Sequence, residues 1–102
     1  MSIEIDHIGI AVNSLDHRTP FWVALGLIMG EDEELPNDGV IARFFSTSGE
    51  SDVPPRIELL EATSPESPIG RFIKKRGEGI QQIAFRVENI EHTIRILLEN
   101  GV

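Results

Sequence analysis

Between Ile3 and Val12 the apolar side chains fall into two alternating sets, Ile8, Ile10 and Val12 on one side and Ile5, His7, Gly9 and Ala11 on the other. A period of two is the pattern of a β-strand, and because both sides are largely apolar it predicts a strand deep in a sheet. The period then changes. Phe21, Trp22 and Leu25 recur at helical spacing up to Gly26, a helix stop, while Thr19-Pro20 reads as a cap followed by a first helical residue. A short helix is predicted there, approached by a turn over 13–18, with Phe21 and Trp22 in the core between helix and sheet. Further strands are predicted at 27–34, 39–46 and 56–62. The Ser-, Pro- and Gly-rich stretches 46–55 and 63–68 are too short for domain linkers and read as loops.

Ser67-Pro68 opens a compact helix over 69–76 that ends at Gly77, with Lys74, Lys75 and Arg76 in its last turn, where cations meet the negative end of the helix dipole. A strand follows at 80–87. Asn89 then caps a helix with an apolar stripe of Ile90, Ile94, Leu97 and Leu98, stopped by Asn100-Gly101. Sliding the sequence against itself by 75 residues lays Ile5 on Ile80, Ile8 on Ile83, Val12 on Val87, His17 on His92 and Gly26 on Gly101. His7 falls on Gln82 in this alignment. The matching order of strand, capped helix and glycine stop points to a duplicated strand-helix-strand-strand-strand unit. The first unit would span 3–62, helix 68–76 would connect, and the second would comprise 79–102, its strand and helix only, within a single domain 1–102. Such an arrangement leaves an open edge and an uncovered apolar face. Three expectations follow: a piece of a longer product, completion by a second copy through strand exchange, or a truncated domain that has lost its activity.

Charge narrows the range of partners. Nine basic side chains against 17 acidic ones give a net charge of −8, a field that repels polyanions, so nucleic acid is excluded as a partner. No apolar run approaches the roughly 20 residues that span a bilayer. The first residues lack the basic and apolar segments of a secretory leader, so a cytoplasmic location without membrane association is expected. With no cysteine, a metal site would have to use His, carboxylate or amide oxygen donors. The acidic run Glu31–Glu34 lacks the glycine and alternating oxygen ligands of a calcium loop and is assigned to the surface. His17 and His92 are expected to be exposed. The cluster Arg71, Lys74, Lys75 and Arg76 reads as a solvated helix end or as a docking point for phosphates.

Taken in order, His7-Ile8-Gly9-Ile10-Ala11-Val12, Leu25-Gly26-Leu27, Asp38-Gly39-Val40, Ile57-Glu58-Leu59-Leu60, Ser67-Pro68-Ile69 and Gly77-Glu78-Gly79-Ile80 with Ile83-Ala84-Phe85 resemble methylmalonyl-CoA epimerase. That family belongs to the vicinal oxygen chelate superfamily, together with glyoxalases, extradiol dioxygenases and bleomycin-resistance proteins. The resemblance spans essentially all of the chain and the first three quarters of a typical member. It implies an α+β fold in which paired βαβββ modules form a cupped mixed sheet, the second module here stopping after its first strand and helix. It also implies a divalent metal, Co, Mn, Ni or Zn, held by residues of the first strand, the fourth strand and the first strand of the second module, and by a late glutamate.

His7 and Glu58 match the first two of these positions, and Gln82 stands where the family usually has histidine. By spacing, His7 shares a face with the small residues Gly9 and Ala11, and Glu58 shares one with Leu60, an arrangement able to bring imidazole and carboxylate together. The simpler readings are a histidine satisfied by a backbone carbonyl and a Glu58 paired with Arg86 or Arg56. Epimerisation α to a thioester needs a base, an acid and an electrophile for the enolate oxygen. The resemblance places one proton-transfer glutamate just before the Gly-Val of the third strand, where Asn37 stands. Asp38 remains as the candidate catalytic residue, at the cost of a one-residue slip that reverses its face. The implied activity is a metal-assisted, epimerase-like isomerase acting on an acyl-CoA or similar ligand, as a homodimer. The alternatives are a non-catalytic binding or degenerate domain of the same superfamily, or another of its activities, such as a glyoxalase or a dioxygenase.

Overall fold

A computed structural model describes residues 3–102; Met1 and Ser2 lie outside them. The elements run β1 (Ile3–Val12), α1 (Leu15–Leu25), β2 (Ile28–Leu35), a 3-10 turn (Pro36–Asp38), β3 (Val40–Ser46), β4 (Arg56–Ala62), α2 (Pro68–Arg76), β5 (Gly79–Val87) and α3 (Ile90–Glu99). One mixed five-stranded sheet has the order β2-β3-β4-β1-β5. β1 runs parallel to β4 and antiparallel to β5, so it is an inner strand, as its two apolar faces predict. Its outer half is nevertheless open to solvent, with Ile3 and Ile5 exposed.

The first helix starts earlier than its sequence suggests. Ser14, not Thr19, is the N-cap, its hydroxyl accepting from the His17 amide, and Pro20 lies inside the helix. The Leu15 amide also donates to Glu61 Oε1 at 2.7 Å, so the start of α1 is fastened to β4. That double anchoring outweighs the helix bond that Pro20 cannot make. The position matches the internal repeat, since the second helix is capped by Asn89 accepting from the His92 amide. Gly26 and Gly101 end the two helices in the left-handed region, at φ 112° and 83°.

Each face of the sheet carries its own core. On one face, Val12, Leu15, Phe45 and Leu59 are buried against α1, with Trp22 packed beside them. Phe21, expected in this core, is instead 63% exposed. On the other face, Ala11, Val40, Ala42, Leu60 and Ile69 are buried beneath α2. Helix α3 buries none of its residues, and its apolar stripe stands free. No described helix is long and apolar enough to cross a membrane.

Candidate functional site

The expected ligands converge on the α2 face of the sheet, one step beyond the core that α2 covers. Glu58 pairs in register with Phe44 on β3 and with Gly9 on β1, and Gly9 pairs in turn with Gln82 on β5. Residues opposite one another across a sheet share a face, so Phe44, Glu58 and Gln82 line one surface, and His7 joins them by alternation from Gly9. His7 Nε2 lies 3.5 Å from Glu58 Oε1, and Gln82 Nε2 donates to the same oxygen at 3.3 Å. Gly9 leaves room for this crossing, because a Cβ there would stand 2.7 Å from Gln82 Cγ. The His7 ring meets Phe44 edge-on at 5.9 Å, and the Arg56 guanidinium lies 4.3 Å above the same ring.

Glu58 is buried, and burial pushes its carboxyl above the ordinary 4.5, against the pull of His7, the Gln82 hydrogen bond and Arg56. Glu33 adds to the upward push. Its place explains why. Arg43 extends toward α1, reaching Asp16 and Thr19, and its register partner Asp32 binds it from the same side. The next residue, Glu33, pairs with Ala42 and therefore lies on the Glu58 face. All four residues of the acidic run are exposed, as expected, but they serve two sides of the strand: Asp32 forms a bidentate pair with Arg43, at 2.7 and 2.8 Å, while Glu33 lies on the Glu58 face.

Asp38 is not brought to this cluster. It is exposed in the 3-10 turn before Val40, and Val40 pairs with Ala62, four residues along β4 from Glu58 or about 13 Å at the rise of a strand. Nor does Arg86 pair with Glu58. It binds Asp6 Oδ1 at 2.5 Å, and Arg56 approaches Asp6 Oδ2 at 3.6 Å. His7 makes a side-chain bond, Nδ1 to Asp6 Oδ2 at 2.7 Å. Strict alternation forbids that contact, since neighbours on a strand point to opposite faces. A β-bulge permits it: Ile5 pairs with Phe85 and His7 with Ala84, so Asp6 has no partner on β5. Through the same bulge Ile5 joins the face of Ile8 rather than that of His7, because Phe85 and Ile83 alternate on β5 and Ile83 pairs with Ile8.

The donor set suits a divalent ion. Two donors about 2.1 Å from one tetrahedral ion sit about 3.4 Å apart, close to the separations His7 Nε2 and Gln82 Nε2 keep from Glu58 Oε1. Turning the Gln82 amide over would present its oxygen in place of its nitrogen. Among the described residues, no three His, Cys, Asp or Glu side chains converge as a metal cluster, so an ion held here would take its third protein donor from an amide.

The model of the glyoxalase/bleomycin resistance protein/dioxygenase superfamily matches residues 6–102. A solved structure of a hypothetical protein from Bacillus halodurans C-125 is 47% identical, with a TM-score of 0.87 over all of this chain and 71% of that one. Methylmalonyl-CoA epimerase from Mycobacterium tuberculosis is 34% identical with a TM-score of 0.81, over 97% of this chain and 65% of its own. The mitochondrial methylmalonyl-CoA epimerase of Bos taurus is 29% identical over 96% of this chain and 54% of its length. The chain thus spans about half of that curated relative. Its mixed sheet, its three helices and its partial second module match the vicinal oxygen chelate fold. The chain belongs to the glyoxalase/bleomycin resistance protein/dioxygenase superfamily and is related within it to the methylmalonyl-CoA epimerases.

Proposed function

We propose that this chain is part of a cytoplasmic, homodimeric, metal-assisted isomerase that epimerises the carbon α to an acyl-CoA thioester. The observation that carries this reading is one buried carboxylate, Glu58, approached by an imidazole at 3.5 Å and an amide at 3.3 Å. A structural core has little use for that combination, because a buried carboxylate costs stability unless strongly paired. His7, Glu58 and Gln82 would hold the metal, which when bound supplies Lewis-acid stabilisation of charge on the thioester oxygen.

The chain's own groups supply the rest of the local chemistry. Phe44 closes one side of the site with an apolar ring, and Arg56 above it contributes a fixed positive charge that attracts an anionic ligand into an otherwise acidic protein. Glu33 takes the proton-transfer role that the sequence offered to Asp38, since it shares the site face while Asp38 lies in the exposed turn. A carboxylate there would accept a proton from an α-carbon acidified by enolate stabilisation. The exposed cations at the end of α2 are a docking point for the phosphates of the acyl carrier.

Calorimetric titration of metal-stripped protein with Co²⁺ tests the site first. The expected result is saturable binding, lost in His7→Ala and weakened at least tenfold in Glu58→Gln. Exchange of the α-proton of methylmalonyl-CoA in deuterated water tests the chemistry, with Glu33→Gln expected to abolish exchange while leaving Co²⁺ affinity unchanged. Absence of Co²⁺ binding defeats the metal-enzyme reading. Binding without exchange points to the alternative of a non-catalytic binding domain, the reading favoured by Asn37 at the expected glutamate position.

A further inference from the structure

We infer that Asp6 is a positioning residue for the site, holding the His7 ring so that Nδ1 carries the proton and Nε2 presents its lone pair toward Glu58 and Gln82. The inference rests on the reading of His7 as a metal donor and extends it to the residue that makes His7 competent.

The geometry begins with the bulge. With Asp6 left unpaired between the Ile5–Phe85 and His7–Ala84 pairs, two consecutive side chains come to one side of β1. Asp6 Oδ2 then lies 2.7 Å from His7 Nδ1, a distance at which an ionised carboxylate accepts from the ring. Asp6 is itself fixed from two sides, by Arg86 on Oδ1 at 2.5 Å and by Arg56 at 3.6 Å from Oδ2. With Arg86 donating to one oxygen, the other Asp6 oxygen is left as an acceptor toward the ring, so the ring nitrogen facing it carries the hydrogen. In the neutral imidazole the other nitrogen is then bare, and that nitrogen faces Glu58 at 3.5 Å.

Phe44 stands edge-on to the ring, the centroids 5.9 Å apart. The arrangement is a carboxylate-imidazole pair of the kind that orients metal-binding histidines, built from adjacent residues by an irregularity in the strand. A regular strand would have placed Asp6 on the opposite face, where it could not reach the ring. Arg86 comes from β5 and ties Asp6 to the neighbouring strand through its other oxygen, leaving the Asp6–His7 contact to β1 alone.

The test uses Asp6→Ala, Asp6→Glu and Arg86→Ala in the full chain, each first checked for an unchanged far-UV dichroism spectrum. Imidazole ¹⁵N shifts report the His7 tautomer in metal-free protein, at a pH high enough to leave the ring neutral. His17→Gln and His92→Gln assign the signals. The wild type is expected to show Nδ1–H predominating, Asp6→Ala to show a mixed or Nε2–H population, and Arg86→Ala, which keeps the Asp6–His7 contact, to stay near wild type. Co²⁺ affinity is expected to fall ~10–100-fold in Asp6→Ala, as when other such partners are removed, and to recover in part in Asp6→Glu. A wild-type Nε2–H tautomer, or a tautomer unchanged in Asp6→Ala, overturns the inference. If Asp6→Ala does not fold, the wild-type tautomer alone decides. Should wild-type protein bind no Co²⁺, the metal reading fails while the tautomer still tests Asp6.

Discussion

At the residue scale, Glu58 is where a functional carboxylate and a structural one can be told apart by measurement. It is 6% exposed, and burial raises its pKa against the combined pull of His7, Gln82 and Arg56, so its surroundings do not fully replace the water it has lost. Glu58→Gln keeps the shape and removes the charge. Metal-free Glu58→Gln is therefore expected to be more stable than wild type at neutral pH, by about 1 kcal/mol, in urea denaturation, while binding Co²⁺ at least tenfold more weakly. Opposite signs in the two measurements are what a site held at the expense of stability produces. Lower stability together with weaker binding would instead mark Glu58 as a structural partner of His7.

The same scale shows where the sequence stopped being readable. The common face of His7, Glu58 and Gln82 was legible, the first two by alternation and Gln82 by its alignment with His7 in the internal repeat, and the strand register agrees with that face. Asp6 was hidden by the same rule, since an alternating strand turns it away from its neighbour. A bulge leaves no mark in the period of hydrophobicity. The place of Glu33 on the Glu58 face was hidden inside a run of four acidic residues, within which only pairing to Arg43 and Ala42 separates one face from the other. Asp38 misled because proximity to Gly39-Val40 in the chain does not place it beside Glu58 in the sheet.

At the element scale, the kind and order of strands and helices followed from periodicity, whereas the start of α1 did not. Thr19-Pro20 imitates a helix start, and Pro20 is tolerated inside the helix because Ser14 and Glu61 satisfy the true first turn. The 75-residue offset carried the correct signal, since it lays Ser14 on Asn89, the cap that was recognised. Two contacts hold the elements together in ways that can be measured. Arg43 joins β3 to β2 through Asp32 and to α1 through Asp16 and Thr19. Asp32 is held below the ordinary 3.8 chiefly by its hydrogen bond from Arg43. A carboxylate with a depressed folded pKa stabilises above its unfolded value and loses that contribution as pH falls through the folded one. Arg43→Ala is thus expected to cost about 2 kcal/mol near neutral pH, a figure limited by the partial exposure of Asp32, with the cost shrinking as acid is added below about pH 4. Urea midpoints of both proteins across that range check it; a cost independent of pH would assign the loss to packing alone.

Gly70 is the second contact. Alanine in place of glycine ordinarily strengthens a helix by about 1 kcal/mol. Here an added Cβ would lie 2.4 Å from the Ser64 carbonyl oxygen and 2.6 Å from that of Pro65, backbone atoms that cannot swing aside. The clash decides the sign. Gly70→Ala is expected to destabilise by about 2 kcal/mol, and the helix it displaces is the one covering Ala11, Ala42 and Leu60, so amide exchange in α2 should accelerate first. A stability equal to or above wild type would mean that the 63–66 loop gives way without cost.

At the scale of the whole molecule, shape and surface disagree with the idea of a closed domain. The radius of gyration is 15.2 Å, against about 13 Å for a compact chain of this length. On β5, Ile80, Ile83 and Phe85 are each at least half exposed, and they share a face with exposed Ile3 and Ile5 of β1. In the five-stranded sheet β5 is an edge strand, so apolar side chains adjoin an edge with free backbone groups, a combination that favours pairing with another chain. The net charge of −8 opposes that association but is spread over a surface screened by salt, whereas the apolar contact is not weakened by it. Sedimentation equilibrium of this chain is therefore expected to show dimers or larger species, with association strengthening as ionic strength rises. The double substitution Ile83→Lys with Phe85→Lys places charge on the exposed face without entering either core, and is expected to shift the chain toward monomer with its dichroism unchanged. A wild-type monomer at every concentration and salt level would show that the apolar face is tolerated in water and that homodimer formation, if it occurs, uses another surface.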